Sequence, residues 1–549
     1  MRERDYTPRF VWLTLVVIVA MLGLGLVPQF ELFGMHFSKV DILSELRADD
    51  NEVVEYEADI ERLEQELAAM QQSDSLAVVD SLPELPSVRY EWIVESDELS
   101  DTTDVRVPSL LGLLPHRPSS AALRHFADEC SVAIEDFDTV EVSRFDKFIE
   151  KLATGEKVRI AFMGDSFVEG DILTSDLREQ LQSVFGGRGV GFVACDIPFA
   201  TVRRTVKRAS SGWSAYSVMK PKSAPQDVAD KFFVSGYVAK GGEGATTRWT
   251  VTDAFEHLDS CTRARVLLYS RDTSLLKVTV NDTITNEIEI AGYDHMREIY
   301  VEAEEIKALE VRVAKGDVIC YGATIEGGEG VTIDNFSVRS NNGHAIFGTG
   351  AAINREIDEM LGYDVVVLQY GLNIMQKGQR GYTNYRNQLC DMIAYAERCF
   401  PDAAILVLGV SDRWVKNEES GRYEPIGSVD ALTAHQRAAA DSTNVAFWNT
   451  SKAMAALGGM PAFVSKGWAA KDYTHINFMG GKQIAKQLAY AIIAPVCERV
   501  ETLERLAMRQ APMQIPVEPE SMHSVDLRVE GVAQLAEEKV EDDVDGVDK

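Results

Sequence analysis

The chain has 549 residues, 46% of them hydrophobic, which is enough for two or three domains with real cores. With 55 Lys and Arg against 86 Asp and Glu, its net charge of -31 argues against nucleic acid or an anionic membrane surface as the main partner. Its 7 cysteines are scattered without a Cys-x-x-Cys pair, which excludes a zinc-finger pattern and a dense disulfide framework.

Residues 11–27 form an uncharged apolar run just long enough to span a bilayer. Arg2, Arg4 and Arg9 precede it, which places the amino terminus inside and the rest of the chain outside the cytoplasm. The run reads as an uncleaved anchor (1–30) rather than a signal peptide, because no Ala-x-Ala site follows. Residues 50–72 have heptad-like spacing (Val53, Tyr56, Ile60, Leu63, Leu67, Met70). Coiled-coil self-association, a packed helix and a solvated stalk all fit that spacing. Residues 73–119 are rich in Ser, Asp and Pro and read as a linker, so 31–120 is expected to be stalk and linker.

Residues 121–154 read as mostly helix and lead into a buried strand, 160–163. That strand ends in Gly164-Asp165-Ser166, followed by a helix with Leu173, Leu177 and Leu181 on one stripe. A serine at such a corner sits at the binding edge of an open α/β sheet, facing helix N–H groups that stabilise an oxyanion. A glycine-rich turn, 186–191, follows the helix; it lacks the Gly-Lys-Ser/Thr ending of a phosphate loop. Residues 200–340 then change character. Short alternating apolar sets, such as Leu276, Val278 and Val280, are punctuated by turns, as in a β-sandwich. Trp213, Tyr216, Trp249 and Tyr321 are candidate sugar-stacking rings there, with the sandwich core as the competing place for each.

The α/β pattern returns at Asn342-Gly343-His344 and alternates to residue 493, implying a parallel sheet covered on both faces. Strand 365–369 ends in Gly371-Leu372-Asn373, whose side-chain amide is a natural oxyanion donor. Ser411-Asp412-Arg413 follows another strand end; Arg413 either binds an acidic sugar or pairs with Asp412. Asp472-Tyr473-Thr474-His475 brings a carboxylate and an imidazole side by side, the base that a serine nucleophile needs. Asp165 suits a structural role in its turn. The acidic tail, 512–549, reads as disordered.

Gly-Asp-Ser, Gly-x-Asn and Asp-x-x-His in this order resemble the SGNH (GDSL-type) hydrolases over roughly residues 145–496. The longer run 164–171 and the glycine turn look like the peptidoglycan O-acetylesterase branch. The resemblance implies a flavodoxin-like three-layer domain in two parts (121–199 and 341–511), interrupted by a jelly-roll-like, carbohydrate-binding-like insert (200–340). It implies a Ser166–His475–Asp472 triad and an oxyanion hole of Ser166, Gly343 and Asn373, with Gly189 as the fallback glycine. It also implies an O-acetylated envelope polysaccharide as substrate, most of all peptidoglycan, with Trp213, Tyr216 and Arg413 as substrate contacts. No metal or cofactor is expected. An O-acetyltransferase, a lipid or small-molecule esterase and a non-catalytic glycan-binding scaffold are the competing readings; the second lacks a long apolar lid near the motifs.

Overall fold

The computed structural model describes residues 30–32, 35–37, 88–93, 117–198, 203–258, 261–327 and 329–510. The apolar run 11–27, the heptad-like stretch 50–72 and the acidic tail 512–549 lie outside these. Among the described residues, no helix is long and apolar enough to cross a membrane.

The catalytic-type domain opens with two helices rather than one. Ser143 starts the second, Arg144–Thr154, with a reciprocal capping box to Asp146. Its hydroxyl also donates to Asp136 at 2.6 Å, so the segment between the helices is pinned outside helical geometry. Phe145, Phe148, Ile149 and Leu152 form its buried face. The strand expected to lead to the nucleophile, Val158–Gly164, follows and is buried at every position. It lies within a 6-stranded sheet, flanked by Val331–Ser337 and Val365–Gln369, both parallel to it. Ala404–Leu408 and Ala446–Trp448 continue the parallel order, and Glu135–Asp136 closes the far edge antiparallel. Helices Thr383–Cys399 and Val429–Ser442 connect the later strands. The last helix is Phe478–Gln510; from residue 503 onward the chain is assigned to a second, small unit.

The β-rich part has ten strands. The long strand Tyr237–Val251 belongs to two layers. Its first half pairs with Val318–Gly327 and its second half with Ala308–Lys315, while Val206–Ser217 runs along its other side. One layer continues through Ser274–Val280 and Ile284–Ile290, the other through Arg263–Tyr269 and Met296–Glu302. Val266, Leu268, Leu276, Val278 and Val311 share the core between them, as in a sandwich.

The edges of this module differ from the 200–340 expected from sequence. Arg188–Ala194 pairs with Val318–Gly327 and so joins the antiparallel layer. Val331–Ser337 pairs in parallel with the nucleophile strand and so belongs to the catalytic sheet. The linker reading of 73–119 is also corrected at Val88–Ile93, which pairs in parallel with Met296–Glu302. Tyr90 and Trp92 pack on the sandwich core. The alternation Val88, Tyr90, Trp92 is a strand period that the surrounding prolines conceal.

A buried ionic cluster ties the two parts together. Arg159, on the nucleophile strand and 1% exposed, bonds Asp334 at 2.7 and 3.0 Å and Glu326 at 2.5 Å. Glu326 comes from the sandwich. Asp334 also accepts from Tyr363 and from the backbone N–H of Phe192, each at 2.7 Å. Burial alone would raise the Glu326 pKa, but Arg159, Lys157 and Arg265 bring it down to about 2. A carboxylate depressed in this way stabilises the fold above its unfolded pKa of 4.5 and loses that contribution as pH falls through about 2. Glu326→Gln should therefore cost about 3–5 kcal/mol at neutral pH, because it strips one partner from a buried charge. Urea unfolding should show the gap between parent and variant closing as the pH is lowered from 4.5 toward 2.

Candidate active site

Ser166 is half-buried in the turn that leaves Val158–Gly164. The turn is fixed by Asp165, whose Oδ1 accepts the Phe167 N–H at 2.9 Å. A 3-10 turn, Glu169–Asp171, then leads into helix Thr174–Phe185. Asp171 is fully buried and bonded by Thr174, Thr205, Arg178 and Arg203, which locks the segment after the nucleophile. Those bonds hold the Asp171 carboxyl well below the usual range despite its burial.

Asp472 and His475 meet as expected. His475 Nδ1 lies 2.7 Å from Asp472 Oδ2. Asp472 Oδ1 accepts the backbone N–H groups of Thr474 at 2.9 Å and His475 at 3.1 Å. Burial opposes ionisation of Asp472, but the His475 ring and these N–H groups outweigh it and keep its pKa below the ordinary value. The loop is delivered by the helix that follows. A Cβ at Gly481 would lie 1.8 Å from the Ile172 carbonyl oxygen, so only glycine lets this helix dock on the nucleophile loop. The Ser166 hydroxyl makes no hydrogen bond among the described residues. Closure of a base onto its serine on substrate binding is common in unliganded sites.

Asn373 reaches the same turn. Its amide donates to the Asn341 carbonyl at 3.1 Å and to Asp165 Oδ2 at 3.4 Å. Arg413 donates to the Leu372 carbonyl at 3.1 Å, so it braces the loop that carries Asn373. Asp412 accepts the Met460 N–H at 2.7 Å. Asp165 is thus the meeting point of the motifs. It is bonded by Asn373 and feels the charge of His475. Burial pushes its pKa up to about 7, against the pull of the Phe167 N–H and of His475.

Gly343 does not supply a free N–H here, and Gly189 lies in the sandwich. The Gly343 N–H is taken by Asn341 Oδ1 at 2.8 Å. Gly189 is paired in the sandwich with Glu326, and a Cβ there would lie 2.2 Å from the Ile325 carbonyl oxygen. Its glycine is explained by close strand approach. His344 is buried, with its Nδ1 2.9 Å from Gln388 Nε2. Trp249 and Tyr321 are 0% and 1% exposed and belong to the cores, so neither is a sugar platform. Trp213 and Tyr216 are half-buried, Trp213 against the sandwich core and Tyr216 against the core shared with the catalytic sheet.

Two features escaped the sequence reading. Asn341 holds Gly343 with its side chain and Asn373 with its carbonyl; the run Asn341-Asn342-Gly343 signals a turn but not its role. Beside the Asp472–His475 loop, Tyr473 stacks on Tyr423 with ring centroids 4.1 Å apart, and Trp414 lies 6.5 Å from Tyr473. The short hairpin Trp414–Lys416 and Tyr423–Pro425 brings these rings together, a pairing that spacing alone does not show.

A parallel sheet with Ser166 at a strand end, Asn373 beside it and an Asp–His pair on a late loop, joined to a β-sandwich, is the arrangement that the resemblance to the SGNH hydrolases leads one to expect. A solved peptidoglycan O-acetylesterase superposes with a TM-score of 0.53 at 21% identity, covering 68% of this chain and 99% of its own. A lipase/acylhydrolase from Enterococcus faecalis (TM-score 0.23, 16% identity, 31% of this chain and 78% of that one) superposes too loosely to add to the argument. The same holds for a family two carbohydrate esterase from Cellvibrio japonicus (TM-score 0.17, 8% identity, 44% and 86%). No family profile and no curated protein matches the sequence.

The raised Asp165 pKa has a definite sign. A carboxyl raised from 3.8 to about 7 favours the fold fully below pH 3.8, and that contribution is lost as pH rises through about 7. Asp165→Asn should therefore gain stability relative to the parent between pH 5 and pH 8, whatever its absolute offset. Chemical unfolding of both proteins at the two pH values measures this.

Proposed function

We propose that this protein is a serine carboxylic ester hydrolase that removes O-acetyl groups from an envelope polysaccharide, with peptidoglycan as the first substrate to test. The observation that carries this reading is the Asp472–His475 contact at 2.7 Å, found in the same chain as an Asn373 amide that reaches Asp165, one residue from Ser166. Likeness to the O-acetylesterase in fold supports the choice of acyl group and polymer.

In this mechanism, Ser166 Oγ attacks the acetyl carbonyl. His475, its Nδ1 held by Asp472, takes the serine proton on Nε2. The tetrahedral oxyanion is stabilised by the Ser166 N–H and the Asn373 amide, which exchanges its long contact to Asp165 for the oxyanion. Collapse expels the sugar hydroxyl, which receives the proton from His475. Water, deprotonated by His475, then releases acetate and restores Ser166. The Gly343 N–H joins the oxyanion hole only if its bond to Asn341 opens. The uncharged run 11–27, with arginines before it, would hold the catalytic part outside the cytoplasm against its polymer.

The test is acetate release by the full-length protein from O-acetylated peptidoglycan and from a second O-acetylated glycan. Ser166→Ala should abolish release. Asn373→Ala should lower kcat by about 10²–10³ if its amide stabilises the oxyanion; a loss of only a few-fold would remove Asn373 from that role. Release from the second glycan alone would keep the chemistry and discard peptidoglycan. Acetyl transfer to a glycan acceptor without free acetate would replace hydrolase by transferase.

A further inference from the structure

A cleft opens where the sandwich meets the nucleophile loop. Glu169 and Gly170, just past Ser166, line it together with Arg203, Arg208 and Tyr237. Asn335 and Ser337 line it too. Ser337 is in register with Gly164, the last residue of the nucleophile strand, so the cleft adjoins the Ser166 turn.

The charges in the cleft are not equally engaged. Arg203 is committed to Asp171 at 2.8 and 3.0 Å and to the Phe192 carbonyl at 3.0 Å. Glu169 Oε2 accepts from Arg339 at 2.6 Å, whereas its Oε1 is buried without a hydrogen-bond partner. Arg208 is half-buried and makes no hydrogen bond or ion pair among the described residues. Its neighbour Asp196 accepts instead from the Ile197 N–H at 2.9 Å and the Ser210 hydroxyl at 2.7 Å. Burial lowers the Arg208 pKa and Asp196 only partly offsets it. A guanidinium partly withdrawn from water gains from an anion that joins it.

We propose that this cleft is a glycan subsite in which Arg208 pairs with a carboxylate on the sugar chain whose ester Ser166 attacks. It rests on the esterase reading above. Among the described lining residues, Arg208 is the cation left uncommitted, and it sets the charge of the ligand. A planar carboxylate matches the guanidinium fork, while the carboxylate of Glu169 opposes a second negative charge. Glu169 Oε1 accepts from a hydroxyl or amide N–H of the same chain, so Glu169 reads a donor and Arg208 an anion. The carboxylate belongs either to a uronic acid or to the lactyl and peptide groups of peptidoglycan.

The experiment is calorimetric binding to the full-length Ser166→Ala protein, with and without Arg208→Gln. The probes are O-acetylated alginate oligomers, soluble O-acetylated peptidoglycan fragments and O-acetylated neutral mannan oligomers. Arg208→Gln should raise Kd for at least one acidic probe about tenfold, the scale of one charge-assisted hydrogen bond, with a much smaller change for mannan. Arg208→Lys should recover part of the loss. Which acidic probe responds identifies the source of the carboxylate. An equal loss for mannan, no response from either acidic probe, or no binding of either, overturns the subsite. Because Ser166→Ala does not turn over, the result is separate from acetate release. Arg208-dependent binding by a parent protein that releases no acetate would overturn the esterase reading and leave the subsite standing.

Discussion

The structure depends on one buried guanidinium. Arg159 sits in an otherwise apolar strand, and both its carboxylate partners lie in other strands: Asp334 in the catalytic sheet and Glu326 in the sandwich. A charge in that position is tolerated only when every donor is satisfied. The bonds therefore fix where three strands lie along one another. Ser166 stands at the other end of the same strand. The sandwich is thereby tied to the element that carries Ser166, and sliding one against the other would strand a charge in the core.

The hydrophobic contacts reinforce this tie. Along Arg263–Tyr269, Val266 and Leu268 face the sandwich core while Leu267 and Tyr269 face the catalytic domain. Val318–Gly327, beside it, is buried at all its positions. A strand packed on both faces gives up the polar-apolar alternation of a half-exposed sheet. One sheet layer thus serves two cores, and the module is not a bead on a linker. The seam has fixed walls, and the cleft with Arg208 and Glu169 is part of that seam.

The parts of this arrangement that chemistry writes locally were legible in the sequence. Gly-Asp-Ser after an apolar strand, Gly-x-Asn after another and Asp-x-x-His in a turn each need only a few consecutive residues. The Asp472–His475 contact and the approach of Asn373 to the serine turn follow from those. Long-range pairing was not legible. Val331–Ser337 has the same apolar character as its sandwich neighbours, and only its parallel register with Val158–Gly164 assigns it to the catalytic sheet. Competition for one donor was also hidden. Gly343 sits where an oxyanion glycine is expected, but the Asn341 side chain two residues earlier takes its N–H. Aromatic residues were ambiguous for a simpler reason: Trp249 fills the sandwich core, whereas Trp414 lies partly open beside the Asp–His loop, and composition does not separate the two.

The distribution of charge gives these observations a common direction. The chain carries a net charge of -31, yet the interior around the strand that leads to Ser166 is rich in arginine: Arg159, Arg178 and Arg203 all bond buried carboxylates. An acidic exterior repels an acidic polymer at long range, and salt screens that repulsion within about 10 Å at 0.1 M. Recognition of such a polymer by this protein would therefore have to be short-ranged and local, resting on a cation held inside a cleft rather than on the surface field. Arg208 has that placement, and it alone among these four arginines is left without an internal carboxylate. Net charge and local charge thus point to opposite partners, and inside a cleft the local charge decides.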